Sequence, residues 1–194
     1  MSNELILSID AGTQSIRSAL VDLKGNIRCI VKTPIEPYFS EKPGWAEQQP
    51  DYYWQKLCET CLAMFSKTTE SKENIAGVTI STQRATVVDV DKNGNPLRPA
   101  MVWLDSRKAD PKGMVPIVVQ ALSKIINSKL AVEAVRDCEI NWIKQNQPEI
   151  WEKTYKHLLL SGFFTYKLTG EFIDSCGNIV GYVPFDNKTG KWAA

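Results

Sequence analysis

Histidine is almost absent from this sequence, and its scarcity excludes several kinds of site. The single histidine, His157, cannot build the multi-histidine zinc sites of many metalloenzymes. The presence of only one histidine also argues against a Ser-His-Asp triad. It stands in a helix-like segment with no cysteine or carboxylate cluster nearby, so we interpret it as an ordinary structural or surface residue.

An excess of charge of either sign is also lacking. The chain has 23 basic and 22 acidic residues, which give a net charge of +1. A protein that coats nucleic acid would normally be far more basic, so we expect no nucleic acid partner. The five cysteines are an odd number without a regular framework, which argues against a secreted disulfide scaffold.

Long apolar runs are missing as well. No stretch approaches the roughly eighteen consecutive apolar residues that a transmembrane helix needs. The start, Met-Ser-Asn-Glu followed directly by an apolar strand, lacks the basic region and the long apolar core of a signal peptide. We therefore expect a cytoplasmic protein without membrane contact.

The remaining composition is that of a globular α/β protein. Hydrophobic residues make up 43% of the 194 residues and charged residues 23%, enough for one domain or one and a half. Strands are predicted at 5–10, 16–22 and 27–31 as an antiparallel meander, at 75–81, and at 85–90 as a hairpin partner or continuation. Helices are predicted from Pro50, at 115–127, around 135–143, and at 155–168 with Gly170 as a C-terminal cap. This order predicts the α/β class with a mixed sheet.

The first turn, from Asp10 to Arg17, carries the residues that a phosphate site needs. Gly12 lets the backbone approach an anion closely, so that amide N–H groups can point at it. The hydroxyl groups of Thr13 and Ser15 can donate to phosphate oxygens, and Arg17 can add a charge-assisted bond. Asp10, at the end of the strand, can hold a hydrated Mg²⁺. On these residues alone, an ordinary β-hairpin with a polar turn remains the alternative.

Further motifs follow the first turn in a fixed order. They are Gly44-Trp45-Ala46-Glu47-Gln48 with Pro50 and Trp54; Gly77-Val78-Thr79-Ile80-Ser81-Thr82-Gln83-Arg84; Asn93-Gly94-Asn95-Pro96-Leu97-Arg98-Pro99 with Trp103-Leu104-Asp105-Ser106-Arg107; and a helical region with Trp142, Asn146, Pro148-Glu149 and Leu168-Thr169-Gly170-Glu171. Together with the first turn, they resemble the N-terminal part of the FGGY family of carbohydrate kinases, which includes glycerol kinase, xylulokinase and ribulokinase. The resemblance runs from about residue 5 to 192.

The resemblance implies a fold and a domain organisation. The fold is the actin-like ATPase (ribonuclease H-like) α/β fold, in which a mixed five-stranded sheet is flanked by helices and a cleft between two domains receives ATP and the sugar. Residues 1–194 would be the N-terminal kinase domain, truncated, with the C-terminal ATPase half absent. The catalytic aspartate that takes the proton of the sugar hydroxyl would then lie beyond Ala194, so the chain alone would not turn over substrate.

The resemblance also implies site residues. ATP phosphates would be held by Gly12, Thr13, Gln14, Ser15 and Arg17, Asp10 would organise Mg²⁺ through water, and the sugar would be bound by Gln83, Arg84, Trp103 and Asp105. Glycerol kinases have a glutamate where this chain has Ala85, and a tyrosine where it has Ala134. Xylulokinases have Met-His at the positions of Arg84 and Ala85. The two alanines favour a larger sugar or sugar alcohol over glycerol.

Several of these residues also have a purely structural interpretation. Arg84 could pair with a surface carboxylate, and Trp103 could belong to the core. Asp105 and Arg107 could form an ion pair that only holds their loop. The sequence leaves these alternatives open.

Three functions are compatible with the sequence. The first is an ATP-dependent kinase of a sugar or polyol, a homodimer being possible. The second is a non-catalytic nucleotide-binding module of the actin or chaperone type, in which ATP drives domain movement. The third is a stand-alone binding or regulatory module, which only the short length supports.

Overall fold

Two four-stranded sheets, with helices packed against them, form the main part of the fold. The computed structural model describes residues 4–112, 130–179, 185–186 and 188–192. The first sheet has the strand order β3-β2-β1-β5, and its members are β1 (Leu5–Ala11), β2 (Ser15–Asp22), β3 (Ile27–Pro34) and β5 (Ile75–Thr82). Neighbours among β1, β2 and β3 are antiparallel, whereas β5 runs parallel to β1. The predicted meander and the mixed sheet are confirmed.

Alternation along β1 determines which face of this sheet is buried. Leu5, Leu7 and Ile9 point into the core, where helix α1 (Pro50–Phe65) and helix α5 (Leu160–Thr169) pack. Because successive side chains of a strand point to opposite faces, the residues between them lie on the other face. Asp10 is therefore presented away from the core.

The strand predicted at 85–90 does not pair with β5. Ala85 has a φ of +50°, which turns the chain, and β6 (Val87–Val90) joins the second sheet instead. Within the described ranges the first sheet thus has four strands rather than five. The second sheet has the order β4-β7-β6-β8, and the other members are β4 (Glu47–Gln48), β7 (Ala100–Met101) and β8 (Lys156–Leu159).

The helices agree only in part with the prediction. Helix α1 begins at Pro50 as expected, since proline fits the first turn. The helix predicted around 135–143 is broken at Cys138, whose extended backbone (ψ 113°) separates α2 (Leu130–Asp137) from α3 (Glu139–Asn146); α4 spans Pro148–Lys153. The helix predicted at 115–127 lies outside the described residues.

The prediction of a helix at 155–168 was wrong for its first residues, because Lys156–Leu159 forms the strand β8. Residues of β8 pair antiparallel with β6, for example Leu159 with Val87, and only then does α5 begin at Leu160. Cross-strand pairing prevailed over the local helical pattern. The predicted cap is confirmed, because Gly170 has a φ of +78° at the end of α5.

The C-terminal segment contains only short elements. They are a 3₁₀ helix (Cys176–Ile179) and a small hairpin of β9 (Phe185–Asp186) and β10 (Lys191–Trp192); another 3₁₀ turn, Lys72–Asn74, precedes β5. No helix in the described ranges is long and apolar enough to cross a membrane.

Candidate functional site

The tight turn between β1 and β2 forms the tip of the candidate phosphate site. The amide N–H of Gly12 donates to the carbonyl oxygen of Ser15 over 3.0 Å, which closes the turn. Ser15 itself is buried, with 4% of its surface exposed. Thr13 and Gln14 are therefore the residues that the turn presents outward, whereas Gly12 and Ser15 shape it.

Asp10 lies beside the turn, bonded to side chains from both neighbouring strands. One carboxylate oxygen accepts from the Arg17 guanidinium over 2.7 Å, and the other accepts from the Ser81 hydroxyl over 2.9 Å. Strand register causes this meeting, because Asp10 is opposite Arg17 on β2 and Ser81 on β5. The Asp10 and Arg17 side chains remain 46% and 42% exposed, so the pair is open to a ligand.

Trp103 reaches the turn from a distant part of the sequence. Its indole N–H donates to the Thr13 hydroxyl over 3.1 Å, and 51% of the residue is exposed. This position excludes a core role for Trp103 in the chain as it stands. The structure thus joins the predicted phosphate loop to a residue predicted to contact the sugar.

Gln83 and Arg84 follow β5 at the same end of the sheet. The Gln83 backbone N–H donates to the Ala11 carbonyl over 2.8 Å, and its side-chain amide donates to the Tyr53 hydroxyl over 2.9 Å. The amide oxygen of Gln83 is buried and accepts no hydrogen bond from the residues that the structure describes. Burial raises the pKa of Tyr53 to about 12, so this phenol stays neutral and remains a hydrogen-bond partner. Arg84 is exposed and makes no ion pair with any residue in the described ranges.

Asp105, unlike the exposed Arg84, has a buried side chain. Its side chain is only 1% exposed, and its carboxylate accepts from the Arg107 guanidinium (2.6 and 2.8 Å) and from the Ala46 backbone N–H (2.8 Å). In this structure, Asp105 and Arg107 therefore form the ion pair that holds their loop, and the Asp105 carboxylate is not exposed to a ligand. The pair ties the 103–107 segment to the 44–48 loop.

Arg107 belongs to a larger buried charge cluster, which we define as Glu47, Asp89, Arg98, Asp105 and Arg107. Glu47 accepts hydrogen bonds from both arginines, and Arg98 also lies 3.7 Å from Asp89. Burial lowers the pKa of Arg98. For Arg107, burial acts in the same direction, but hydrogen bonds to Asp105 and Glu47 outweigh it and raise its pKa.

Tyr53, Glu47 and Arg98 were not assigned a role from the sequence. Glu47 and Arg98 both stand in motifs that the sequence analysis singled out, so a signal was present. Their pairing across 51 positions could not be inferred from spacing, however. Tyr53 gave no signal other than its place on an apolar helix.

The described residues contain no group of three or more histidine, cysteine, aspartate or glutamate side chains that could hold a metal ion. Among the residues that the structure describes, Asp10 is the one candidate ligand at this end of the first sheet. A half-exposed single carboxylate fits Mg²⁺, which takes one or two carboxylates and completes its shell with water and phosphate.

Comparisons with known proteins agree on a single family. The sequence model for the FGGY family of carbohydrate kinases, N-terminal domain, matches residues 5–194. A xylulose kinase from Staphylococcus epidermidis is 28% identical over 99% of this chain and 38% of its own length. A glycerol kinase from Thermococcus onnurineus is 28% identical over 98% of this chain and 39% of its own length. The chain thus spans about two fifths of the length of the curated relatives it matches.

Solved structures agree with this comparison at the level of the fold. Xylulose kinases from Brucella ovis and Rhodospirillum rubrum superpose with TM-scores of 0.81, at 21% identity and over 98% of this chain. The matched part is 40% of the first structure and 39% of the second. The chain therefore has the α/β, actin-like ATPase fold of these sugar kinases.

Proposed function

This chain belongs to the FGGY family of carbohydrate kinases, and on that premise we propose that it is the N-terminal part of an ATP-dependent kinase acting on a sugar or sugar alcohol. Residues 1–194 would form the truncated N-terminal domain, and a C-terminal ATPase half would complete the protein. The short match to each relative supports this division, because the family members extend well beyond the matched part.

One observation carries the proposal: the hydrogen bond between Trp103 and Thr13. It brings together two segments with different expected ligands, phosphate for the turn and sugar for the 103–107 segment. A kinase needs those two ligands within bonding distance of each other. A plain β-hairpin with a polar turn would not require such a contact.

The phosphate end of the site would use Asp10, Arg17, Thr13 and Gln14. Asp10 would hold Mg²⁺ through water while Arg17 and the Thr13 hydroxyl contact phosphate oxygens. Gly12 and Ser15 would contribute through the shape of the turn, since the Gly12 amide is already bonded to Ser15. When bound, Mg²⁺ would neutralise charge that develops on the phosphoryl group.

The sugar end would use Trp103, Arg84 and Gln83. The exposed indole offers an apolar face, and the amide oxygen of Gln83 offers a buried acceptor. The Arg84 guanidinium, which forms no ion pair within the described part of the chain, offers donors. Ala85 and Ala134 leave room where glycerol kinases place larger side chains, so we favour a sugar or polyol larger than glycerol. Asp105 would act indirectly, by holding the segment that carries Trp103.

The reaction would be a phosphoryl transfer. The oxygen of the acceptor hydroxyl would attack the γ-phosphorus, the bond to ADP would break, and the hydroxyl proton would pass to a carboxylate beyond Ala194. Such transfers depend mainly on positioning and charge stabilisation. Because ATP is the phosphoryl donor, the cytoplasm is the proposed location.

The test begins with the coding sequence beyond Ala194. The full-length protein would then be assayed with ATP, Mg²⁺ and a panel of pentoses, hexoses and polyols, with glycerol included. We expect phosphate transfer to at least one acceptor larger than glycerol. ATP hydrolysis that couples to peptide binding, without transfer to any acceptor, would favour the chaperone-type module instead.

A further inference from the structure

The contact between Trp103 and Thr13 has a definite polarity. An indole N–H can only donate, whereas a threonine hydroxyl has one proton to donate and lone pairs to accept. Thr13 is therefore the acceptor in this 3.1 Å bond. With one lone pair engaged, the hydroxyl proton must point elsewhere, so the bond restricts the rotation of the Thr13 hydroxyl.

Trp103 is itself firmly placed. On its N-terminal side, the Val102 backbone N–H donates to the Ala46 carbonyl over 3.0 Å. On its C-terminal side, the Asp105 backbone N–H donates to the Val102 carbonyl over 2.8 Å, and the Asp105 carboxylate is fixed by Arg107. The half-exposed indole thus projects from a backbone that is held on both sides.

We propose that Trp103 is a positioning residue for the phosphate loop as well as a surface for the sugar. Its indole N–H orients the Thr13 hydroxyl so that the free proton can be donated to the terminal phosphate of ATP. A sugar seated against the same ring would shield the bond from water and so strengthen it. This inference rests on the proposed kinase function, and it makes one side chain responsible for coupling the two ligands.

The substitution Trp103→Phe separates the two roles, because it keeps an aromatic face and removes the N–H. In the full-length protein we expect it to weaken Mg-ATP binding by about three- to tenfold, the value of one exposed hydrogen bond. The dissociation constant would be measured by calorimetric titration of ATP, which needs no acceptor. An unchanged ATP dissociation constant would overturn the inference.

Thr13 supplies the matched variants for a double-mutant cycle. Thr13→Val removes the hydroxyl at constant shape, whereas Thr13→Ser retains it. We expect Trp103→Phe to weaken ATP binding in the wild-type and Thr13→Ser backgrounds and to add nothing in the Thr13→Val background. If Trp103→Phe weakened ATP binding as much in the Thr13→Val background as in the wild type, Trp103 would act through another route, and the inference would be wrong.

A spectroscopic measurement tests the contact without reference to activity. The indole N–H resonance of Trp103 is identified by its loss in Trp103→Phe, and Thr13→Val should shift it and speed its exchange with water. Thr69→Val, at an exposed position between α1 and β5, serves as the control and should leave it unchanged. An identical resonance in wild type and Thr13→Val would contradict the contact.

The two proposals fail in different ways. If no acceptor is phosphorylated, the kinase proposal fails, and the titrations still decide whether Trp103 orients the ATP site. If transfer occurs while Trp103→Phe raises only the sugar KM, the kinase proposal stands and the positioning role is refuted.

Discussion

The guanidinium group of Arg107 lies over the indole ring of Trp45, with its central carbon 4.1 Å from the ring centroid. The ring of Trp142 contacts the same group at 4.5 Å, and the two indoles meet edge to face. A planar guanidinium can stack flat on aromatic rings while its fixed fork of N–H donors bonds carboxylates in its own plane, a geometry that the compact ammonium group of lysine cannot reproduce. The 44–48 loop, the 103–107 segment and α3 are therefore joined through one side chain.

The substitution Arg107→Lys should destabilise the protein by about 2 kcal/mol, because it loses the stacking and the bidentate bonds to Asp105. Urea unfolding followed by circular dichroism would measure the change. The same substitution at Arg136, whose pair with Glu133 is half exposed, is the control and should change stability by less than about 0.5 kcal/mol. Equal effects at the two positions would refute a special role for the stacked arginine.

Asp10→Asn removes the charge that we assign to Mg²⁺ and to Arg17. We expect turnover of the full-length enzyme to fall on the order of 100-fold, as for the loss of one charge-stabilising group. Stability should change little, because the Asp10–Arg17 pair is exposed. Asp51→Asn, at an exposed position on α1, is the control. Near-normal turnover of Asp10→Asn would remove Asp10 from the site.

Arg84→Ala removes an exposed guanidinium that has no ion-pair partner among the described residues. If it binds the sugar, the sugar KM should rise by about tenfold and the ATP KM should stay within about twofold, since a charge-assisted hydrogen bond is lost. Steady-state kinetics with each substrate varied would measure both. Arg28→Ala, on the β2–β3 hairpin, should alter neither constant. Equal increases in both constants for Arg84→Ala would indicate a structural role.

Ala85 adopts a left-handed backbone conformation with a φ of +50°. Such a conformation costs an L-residue about 1–2 kcal/mol, more than glycine loses through its extra freedom in the unfolded chain. Ala85→Gly should therefore stabilise the protein by about 0.5 kcal/mol in urea unfolding. Ala63→Gly, in the regular helix α1, should have the opposite sign. Destabilisation by Ala85→Gly would argue against strain at this turn.

Glu139, at the first position of α3, has its pKa raised to about 7, mainly by burial. The folded protein then holds this proton to a higher pH than the unfolded chain does. The contribution of Glu139 to the free energy of unfolding is therefore complete below about pH 4.5 and is lost as the pH rises to about 7, a change of up to about 3 kcal/mol. Glu139→Gln should therefore gain stability relative to wild type across that range.

Unfolding curves at several pH values would show the Glu139 effect. The matched control is Glu152→Gln, because Glu152 is exposed on α4. A difference between Glu139→Gln and wild type that stays constant from pH 4.5 to 7 would contradict the raised pKa.

Local patterns predicted the parts of the fold that are stabilised locally. The β1–β3 meander has clear turns and alternation, and α1 has a proline in its first turn. The β8 strand could not be predicted, because Lys156–Leu159 continues into a helix and becomes a strand only by pairing with β6. The turn at Ala85 was missed for a related reason, since alanine gives no signal for a positive φ.

The residues of the candidate site could likewise be predicted one by one, but their relative positions could not. Asp10 and Thr13 could be found from one short motif, and Trp103 from another. Their relative placement depends on the sheet register and on the buried cluster, neither of which a sequence displays. For Asp105 the motif suggested a cleft position, but the pairing with Arg107 and the Ala46 amide buries its carboxylate.

The composition of the second sheet has a kinetic consequence. Its strands come from residues 47–48, 87–90, 100–101 and 156–159, whereas β1, β2 and β3 are consecutive hairpins. Contacts between distant segments require large loops to close and therefore form slowly. The meander that carries Asp10 and Thr13 should form early. Trp103 would reach Thr13 only after β7 has been incorporated, so the acquisition of ligand binding should be among the last events of folding.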